Sequence, residues 1–225
     1  MKKIILSSLL TSLLLSAADL QSIGVEVTYT DVNDEEKNIV IKRETPENCK
    51  SVKFSPKNIL GGNLVDASVP ENCKTTVIKY LGKISPIKFS PKIETYGEVE
   101  VLEFMEKAND NENMLLVDSR TVDWYINQTI PSAINIPFIH LNKGQYPDDF
   151  IDALETIGVE VREDGTYNFT NAKELLLFCN GVWCGQSPLS MKNLISIGYP
   201  EEKLKWYRGG IQSWLSLGLT TIKPN

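Results

Sequence analysis

The sequence predicts an α/β fold in its larger, C-terminal part: a parallel sheet with helices on both faces, preceded by a small β-rich segment. Three observations carry this expectation. From Tyr96 onward, short apolar runs of strand length alternate with stretches of helical spacing. The most apolar of these runs, Leu175-Leu-Leu-Phe178, leads straight into a glycine-containing loop at Cys179. Before Tyr96, Pro46, Pro56, Pro70, Pro86 and Pro91 interrupt the chain too often for long helices.

Residues 1–18 have the composition of an export signal. Lys2 and Lys3 precede an apolar run from Ile4 to Leu15, and Ser16, Ala17 and Ala18 follow. Charge, apolar stretch and small residues in that order predict cleavage after Ala18. The apolar run falls short of the ~20 residues of a spanning helix, and no cysteine adjoins the cleavage site, so no stable membrane anchor is expected. The short double-lysine start is of bacterial type, which makes the periplasm the expected location.

Residues 19–95 are expected to form a small β-rich domain. Val25 to Tyr29, Ile39 to Lys42 and Thr76 to Tyr80 are β-like. An internal echo runs through the segment: Pro46-Glu-Asn-Cys-Lys50 returns as Pro70-Glu-Asn-Cys-Lys74, and Lys53-Phe-Ser-Pro-Lys57 as Lys88-Phe-Ser-Pro-Lys92. Cys49 and Cys73 occupy the same slot in the two copies. In an exported protein such a pair predicts a structural disulfide, which stabilises a small domain by roughly 3 kcal/mol. A metal is not expected, because His140 is the only histidine and no CxxC is present.

Residues 96–225 supply the α/β elements in turn. Thr95 is placed to cap a helix from about Gly97 to Ala108, with Glu98 three positions on. Met114 to Val117 reads as a buried strand ending at Asp118-Ser-Arg120, and Ala133 to Ile136 as a second, short one. Asp148 to Ile157 has helical spacing, and Glu163-Asp-Gly165 supplies a turn. Leu175 to Phe178 is a strand, Pro188 to Ile197 a helix and Leu204 to Tyr207 a strand. Gly209-Gly210 then turns the chain into a last helix through Trp214.

The formal charge is −6, and −8 without Lys2 and Lys3. No basic stripe suits a phosphate backbone, so nucleic acid is not an expected partner. An acidic chain attracts no small anion in general, so an anionic substrate must be held by local groups.

The chemistry converges on Cys179. Ligands of an open parallel sheet sit beyond the carboxyl ends of its strands. The segment Asn180, Gly181, Val182, Trp183, Cys184, Gly185, Gln186 and Ser187 curls from a strand end to a helix start at Pro188. Such a loop turns backbone N–H groups inward and favours an anion, here a thiolate. Trp183 either walls off solvent or packs under the loop. A phosphatase-like reading fails because no Lys or Arg lies between Cys179 and Ser187.

Leu115-Leu-Val-Asp-Ser-Arg120, Ile130-Pro-Ser-Ala-Ile-Asn-Ile-Pro137, Phe178-Cys179 and Gly209-Gly-Ile-Gln-Ser-Trp214 together resemble the successive motifs of rhodanese-like domains, over roughly residues 97–225. The resemblance implies a sulfurtransferase that carries sulfane sulfur as a persulfide on Cys179. It casts Asp118 and Arg120 as structural support; Arg208, just before the Gly209-Gly210 turn, is either near the same strand ends or an ordinary surface arginine. It implies no cofactor, and a small sulfur-containing anion and a thiol acceptor as partners. Residues 19–95 lie outside it and offer a surface for a protein partner.

Cys184 leaves alternatives open. It resolves a persulfide or sulfenate on Cys179, is itself the nucleophile, or is a passive or disulfide-locked thiol. A thiol–disulfide redox module using Cys179 and Cys184 is therefore one rival function. A non-catalytic binding module is the other.

Overall fold

The computed structural model of the chain describes residues 23–31, 33–42 and 84–224. The export signal, the Cys49–Cys73 disulfide, the Pro-Glu-Asn-Cys-Lys echo and the strand expected at Thr76–Tyr80 lie outside the described residues.

The strands β1 (Val25–Thr30) and β2 (Glu36–Ile41) form an antiparallel hairpin. Its period-two pattern buries Val25, Val27 and Ile41 and leaves Glu26 and Thr28 outside. The next strand, β3 (Glu94–Tyr96), straddles the expected domain boundary and pairs in parallel within the main sheet.

The N-cap of helix α1 (Glu98–Ala108) lies two residues beyond the expected one. Thr95 lies inside β3, where its hydroxyl donates to the Ile87 carbonyl. Gly97 is the N-cap instead, and its N–H donates to Glu100 Oε2 at 3.0 Å. Pairing of Glu94–Tyr96 with a neighbouring strand holds Thr95 extended, which overrides the local capping signal.

The remaining elements follow the expected alternation: β4 (Met114–Asp118), α2 (Val122–Asn127), β5 (Ile134–Asn135) and α3 (Pro147–Thr156). A small antiparallel pair, β6 (Glu160–Val161) and β7 (Tyr167–Asn168), brackets the turn at Glu163-Asp-Gly165, where Gly165 has φ +79°. Then come β8 (Glu174–Phe178), α4 (Gln186–Ser196), β9 (Leu204–Tyr207) and α5 (Gly210–Ser216).

The main sheet has the order β3-β9-β8-β4-β5, and all four pairings are parallel. Its central strand explains the apolar run in the sequence. Leu176 and Phe178 face a core built with Val101, Leu102 and Met105 of α1 and with Ile211 and Trp214 of α5. Leu175 and Leu177 face the opposite core, with Phe150 and Leu154 of α3 and Met191 and Leu194 of α4. A strand buried on both faces carries no polar alternation. Each such side chain contributes about 1.5–3 kcal/mol on burial, so β8 is firmly anchored and its carboxyl end is a fixed platform. Val25, Val27 and Ile41 of the hairpin belong to the α1 core, so β1 and β2 help to cover that face of the sheet. Among the described residues no helix is long and apolar enough to cross a membrane.

Candidate active site

Cys179 is the first residue after β8, and the loop from Asn180 to Gly185 carries the chain to the start of α4. Two ties orient that loop. Ile211 N–H donates to the Cys179 carbonyl and Gln212 N–H to the Asn180 carbonyl, each at 3.0 Å. The amino end of α5 thus holds the first two carbonyls outward, which leaves the loop N–H groups free to face the sulfurs. Across the loop, Cys184 N–H closes onto the Gly181 carbonyl at 2.9 Å.

The approach of α5 requires Gly210. It has φ +59°, and a Cβ there would stand 2.3 Å from the Cys179 oxygen and 2.8 Å from the Gly181 nitrogen. Only a residue without a Cβ fits both the dihedral and the space.

Both loop cysteines are buried free thiols. They sit in different surroundings. The Cys179 thiol donates to the Cys184 carbonyl at 3.5 Å. Ser187 faces the Cys179 sulfur with its N–H and hydroxyl, although that hydroxyl closes no well-formed hydrogen bond. Burial dominates and raises the Cys179 pKa well above the ordinary thiol value, and its neighbour Cys184 adds to the rise.

Cys184 is the more acidic sulfur. Its interaction with Cys179 and the N–H groups of Gln186 and Asn180 overcome desolvation and bring its pKa down to about 6. The Asn180 side-chain amide lies 3.9 Å from this sulfur, and Gln186 Oε1 lies 3.5 Å from it. Next to it, Gly185 is exposed at the rim. The two sulfurs thus sit in opposed surroundings, with the N–H groups of Asn180 and Gln186 facing Cys184 and burial weighing on Cys179.

The supporting residues do two different jobs. Asp118 and Arg120 are fully buried and form a fork, with Nε to Oδ1 at 2.9 Å and one terminal nitrogen to Oδ2 at 2.6 Å. Thr129 donates to the same carboxylate at 2.7 Å, and Arg120 also donates to the Gln128 carbonyl. This network joins the end of β4 to the segment before β5, and its cation stacks 6.0 Å from the Phe178 ring centre. Arg208 does not point at the sulfurs. It donates twice to the Ser85 carbonyl, at 3.0 and 2.7 Å, while Ser85 N–H donates to Val182 of the loop at 2.8 Å. Trp183 donates to Gln212 Oε1 at 2.8 Å and braces the loop against α5. His140 sits beside Asp149 and the Tyr146 ring.

Sequence reasoning did not single out Ser85, Gln212 or the special role of Gly210. Only Gly210 left a signal, as the second half of a glycine pair at a helix start. Among the described residues no group of three or more His, Cys, Asp or Glu is arranged to hold a metal ion. A cleft of about 690 Å³ is lined by Glu94, Glu100, Glu103 and Glu174. It lies toward the amino ends of β4 and β8, away from the cysteines.

A parallel α/β sheet with a paired-cysteine loop at the carboxyl end of its central strand defines a thiol-bearing α/β domain. A rhodanese-like domain model matches residues 100–217, more than half of the chain, and the chain belongs to that family. Among solved structures it is similar to a single-domain sulfurtransferase of Saccharomyces cerevisiae, RDL2, with 23% identity, 57% of this chain and 92% of that chain covered, and a TM-score of 0.38. It is also similar to the rhodanese-like domain of the Anabaena sp. Alr3790 protein, with 16% identity, 59% and 80% covered, and a TM-score of 0.38. A thiosulfate sulfurtransferase of Pseudomonas aeruginosa has 15% identity, with 59% of this chain but 21% of that longer chain covered, and a TM-score of 0.36. No curated protein matches.

Proposed function

We propose that the protein is a periplasmic sulfurtransferase that carries sulfane sulfur as a persulfide in the loop after β8. The observation that carries this reading is a pair of buried free thiols at the carboxyl end of the central strand, with the Asn180 and Gln186 N–H groups facing Cys184 beside an exposed glycine. Inward-facing N–H groups favour the thiolate, the form of the sulfur that attacks.

In the first step the Cys184 thiolate attacks the outer sulfur of a donor R–S–SH. A sulfur–sulfur bond forms to Cys184, the donor's own bond breaks, and R–S⁻ leaves. In the second step a nucleophile such as cyanide or a thiolate attacks the outer sulfur of the Cys184 persulfide and restores the thiolate. The sequence reading put the persulfide on Cys179. The greater burial and raised pKa of that sulfur support Cys184 for the attack.

The donor chemistry follows from the charges. No Lys or Arg lies in the loop, and Arg208 is engaged by Ser85. This favours a small persulfide or polysulfide over the doubly charged thiosulfate. The transfer as written needs no cofactor. Residues 1–18 support export, and residues 19–95 remain the proposed surface for a protein partner. Fractionation of cells expressing the full chain tests the location: a processed form in the periplasmic fraction is expected, and an unprocessed cytoplasmic form would contradict it.

The test of the activity is thiocyanate formation from glutathione persulfide and cyanide by the reduced full chain. Cys184→Ser is expected to lower the rate by at least roughly 100-fold. Full activity in that variant would contradict the assignment. A reversible Cys179–Cys184 disulfide with no sulfur uptake would favour the thiol–disulfide module instead.

A further inference from the structure

A guanidinium beside the loop after β8 is engaged by a neutral partner. Register pairs Phe178 with Tyr207, so the next residues, Cys179 and Arg208, are neighbours at the carboxyl ends of β8 and β9. Leu175 and Leu177 of β8 and Leu204 and Trp206 of β9 face the α3–α4 core. Alternation carried one residue further puts Cys179 and Arg208 on that same side, where the loop enters α4. The guanidinium edge formed by Nε and one terminal nitrogen is the edge that grips two oxygens of an oxoanion. Here both nitrogens fall on a single neutral acceptor, the Ser85 carbonyl, at 3.0 and 2.7 Å. Among the described residues no carboxylate pairs with Arg208.

Ser85 is weakly seated. Its N–H donates to the Val182 carbonyl at 2.8 Å, so a single residue bridges Arg208 and the loop. Ile84, Pro86, Ile87 and Lys88 around it are exposed, Ile84 at 72% and Ile87 at 66%. A hydroxyl from Thr95 reaches the Ile87 carbonyl. The next apolar anchor is Phe89, whose ring meets that of Trp206 edge-on at 6.3 Å between centres. Withdrawal of Ser85 therefore exchanges three hydrogen bonds at a half-buried position for hydrogen bonds to water, a small net change.

We infer that Arg208 is the donor-recognition residue, and that its Nε edge takes the carboxylate of a small organic persulfide in place of the Ser85 carbonyl. This rests on the sulfurtransferase reading and names the class of donor that the site selects. A carboxylate offers two charged oxygens where the carbonyl offers one neutral oxygen, so it makes the shorter and stronger pair of bonds. The chain carries a formal charge of −6, so a local cation is what draws an anionic donor to this rim. The persulfide of an amino-acid or peptide thiol has its carboxylate a few bonds from the sulfur, which suits the one-residue gap between Arg208 and the loop. Thiosulfate instead carries its charge on the atom next to the transferred sulfur. Arg208 acts on binding and on the choice between donors, and the bond-making sulfur stays in the loop.

The experiment compares thiocyanate formation by the reduced full chain from glutathione persulfide, which bears carboxylates, and from hydroxyethyl persulfide, which bears none. The quantity read is the ratio of the two kcat/KM values. Arg208→Met is expected to lower that ratio at least roughly tenfold, through KM. Arg208→Lys should lower it less, because lysine keeps the charge without the fork. An unchanged ratio, with both donors slowed alike, makes Arg208 a brace for Ser85; it overturns the inference and leaves the sulfurtransferase reading standing. A wild-type protein that makes thiocyanate from neither persulfide defeats that reading and the inference with it. Hydrogen exchange at the Ser85 amide of the wild type needs no variant, so misfolding of a substituted chain cannot obscure it. S-methylglutathione, which carries the carboxylates but no sulfur to transfer, is expected to speed that exchange, and its diethyl ester to leave it unchanged. No response to S-methylglutathione, or an equal response to both, overturns the inference.

Discussion

Gly210 and Cys179 meet backbone to backbone: a Cβ on Gly210 would stand 2.3 Å from the Cys179 carbonyl oxygen. This contact lets α5 hold the Cys179 and Asn180 carbonyls outward, and so it decides which way the loop N–H groups face. Gly210→Ala is expected to cost about 2–3 kcal/mol, from its positive φ and from the forced backbone shift. The same substitution should move the Cys184 pKa back toward the ordinary thiol value. Urea denaturation reads the first effect, and the pH dependence of alkylation reads the second.

The Asp118–Arg120 pair predicts a stability effect away from the sulfurs. Removing one partner strands a buried charge, so Arg120→Ala should cost about 3–5 kcal/mol. Replacing both residues by apolar ones of similar volume should cost clearly less than either single change. Urea midpoints of the three variants check this, and a cheap Arg120→Ala would refute it.

The cysteine pair makes stability depend on pH. The Cys184 pKa is depressed on folding to about 6, so the native state releases this proton first. Between that pH and the unfolded thiol's pKa of about 8.5, the unfolded chain binds more protons and stability rises with pH, by at most about 1.4 kcal/mol per unit. The contribution is complete above the unfolded value and is lost as pH falls through about 6. Cys179 has the opposite sign: its raised pKa favours the fold while protonated, and that contribution is lost in the alkaline range. Urea midpoints of the wild type minus those of Cys184→Ser should therefore climb from pH 6 to about 8.5.

Ser85 ties the segment before β3 to the loop, and Arg208 holds Ser85. Arg208→Met removes both hydrogen bonds to the Ser85 carbonyl. Its expected signature is local: faster hydrogen exchange at the Ser85 amide, with little change at the amides of β8. Unchanged protection at Ser85 would show that Val182 alone suffices to hold the segment.

Which features the residues announced, and which they did not, has a physical explanation. Leu175–Phe178 and Leu204–Tyr207 were legible because a strand buried on both faces is an unbroken apolar run. The turn at Gly165 was legible because its dihedral suits glycine. The three-residue strand Glu94–Tyr96 was not, since its order comes from pairing with β9 and not from its own pattern. That same pairing moved the N-cap of α1 from Thr95 to Gly97. Pro188 placed α4 correctly to within a turn, yet the helix starts at Gln186 because the first turn needs no donor from Pro188. The loop itself could be located from Cys179 and its glycines. The choice between its two sulfurs depends on burial and on which amides face each, which no sequence pattern records.

The central claim is one thiolate, seated on Cys184 by loop amides. The direct measurement is the alkylation rate of each cysteine with iodoacetamide across pH, resolved by peptide mass on the reduced full chain. The expected result is a Cys184 rate that reaches half its plateau near pH 6, with Cys179 unreactive until the alkaline range. A Cys184 midpoint at or above the ordinary thiol pKa, or a Cys179 that reacts first at neutral pH, would contradict the account.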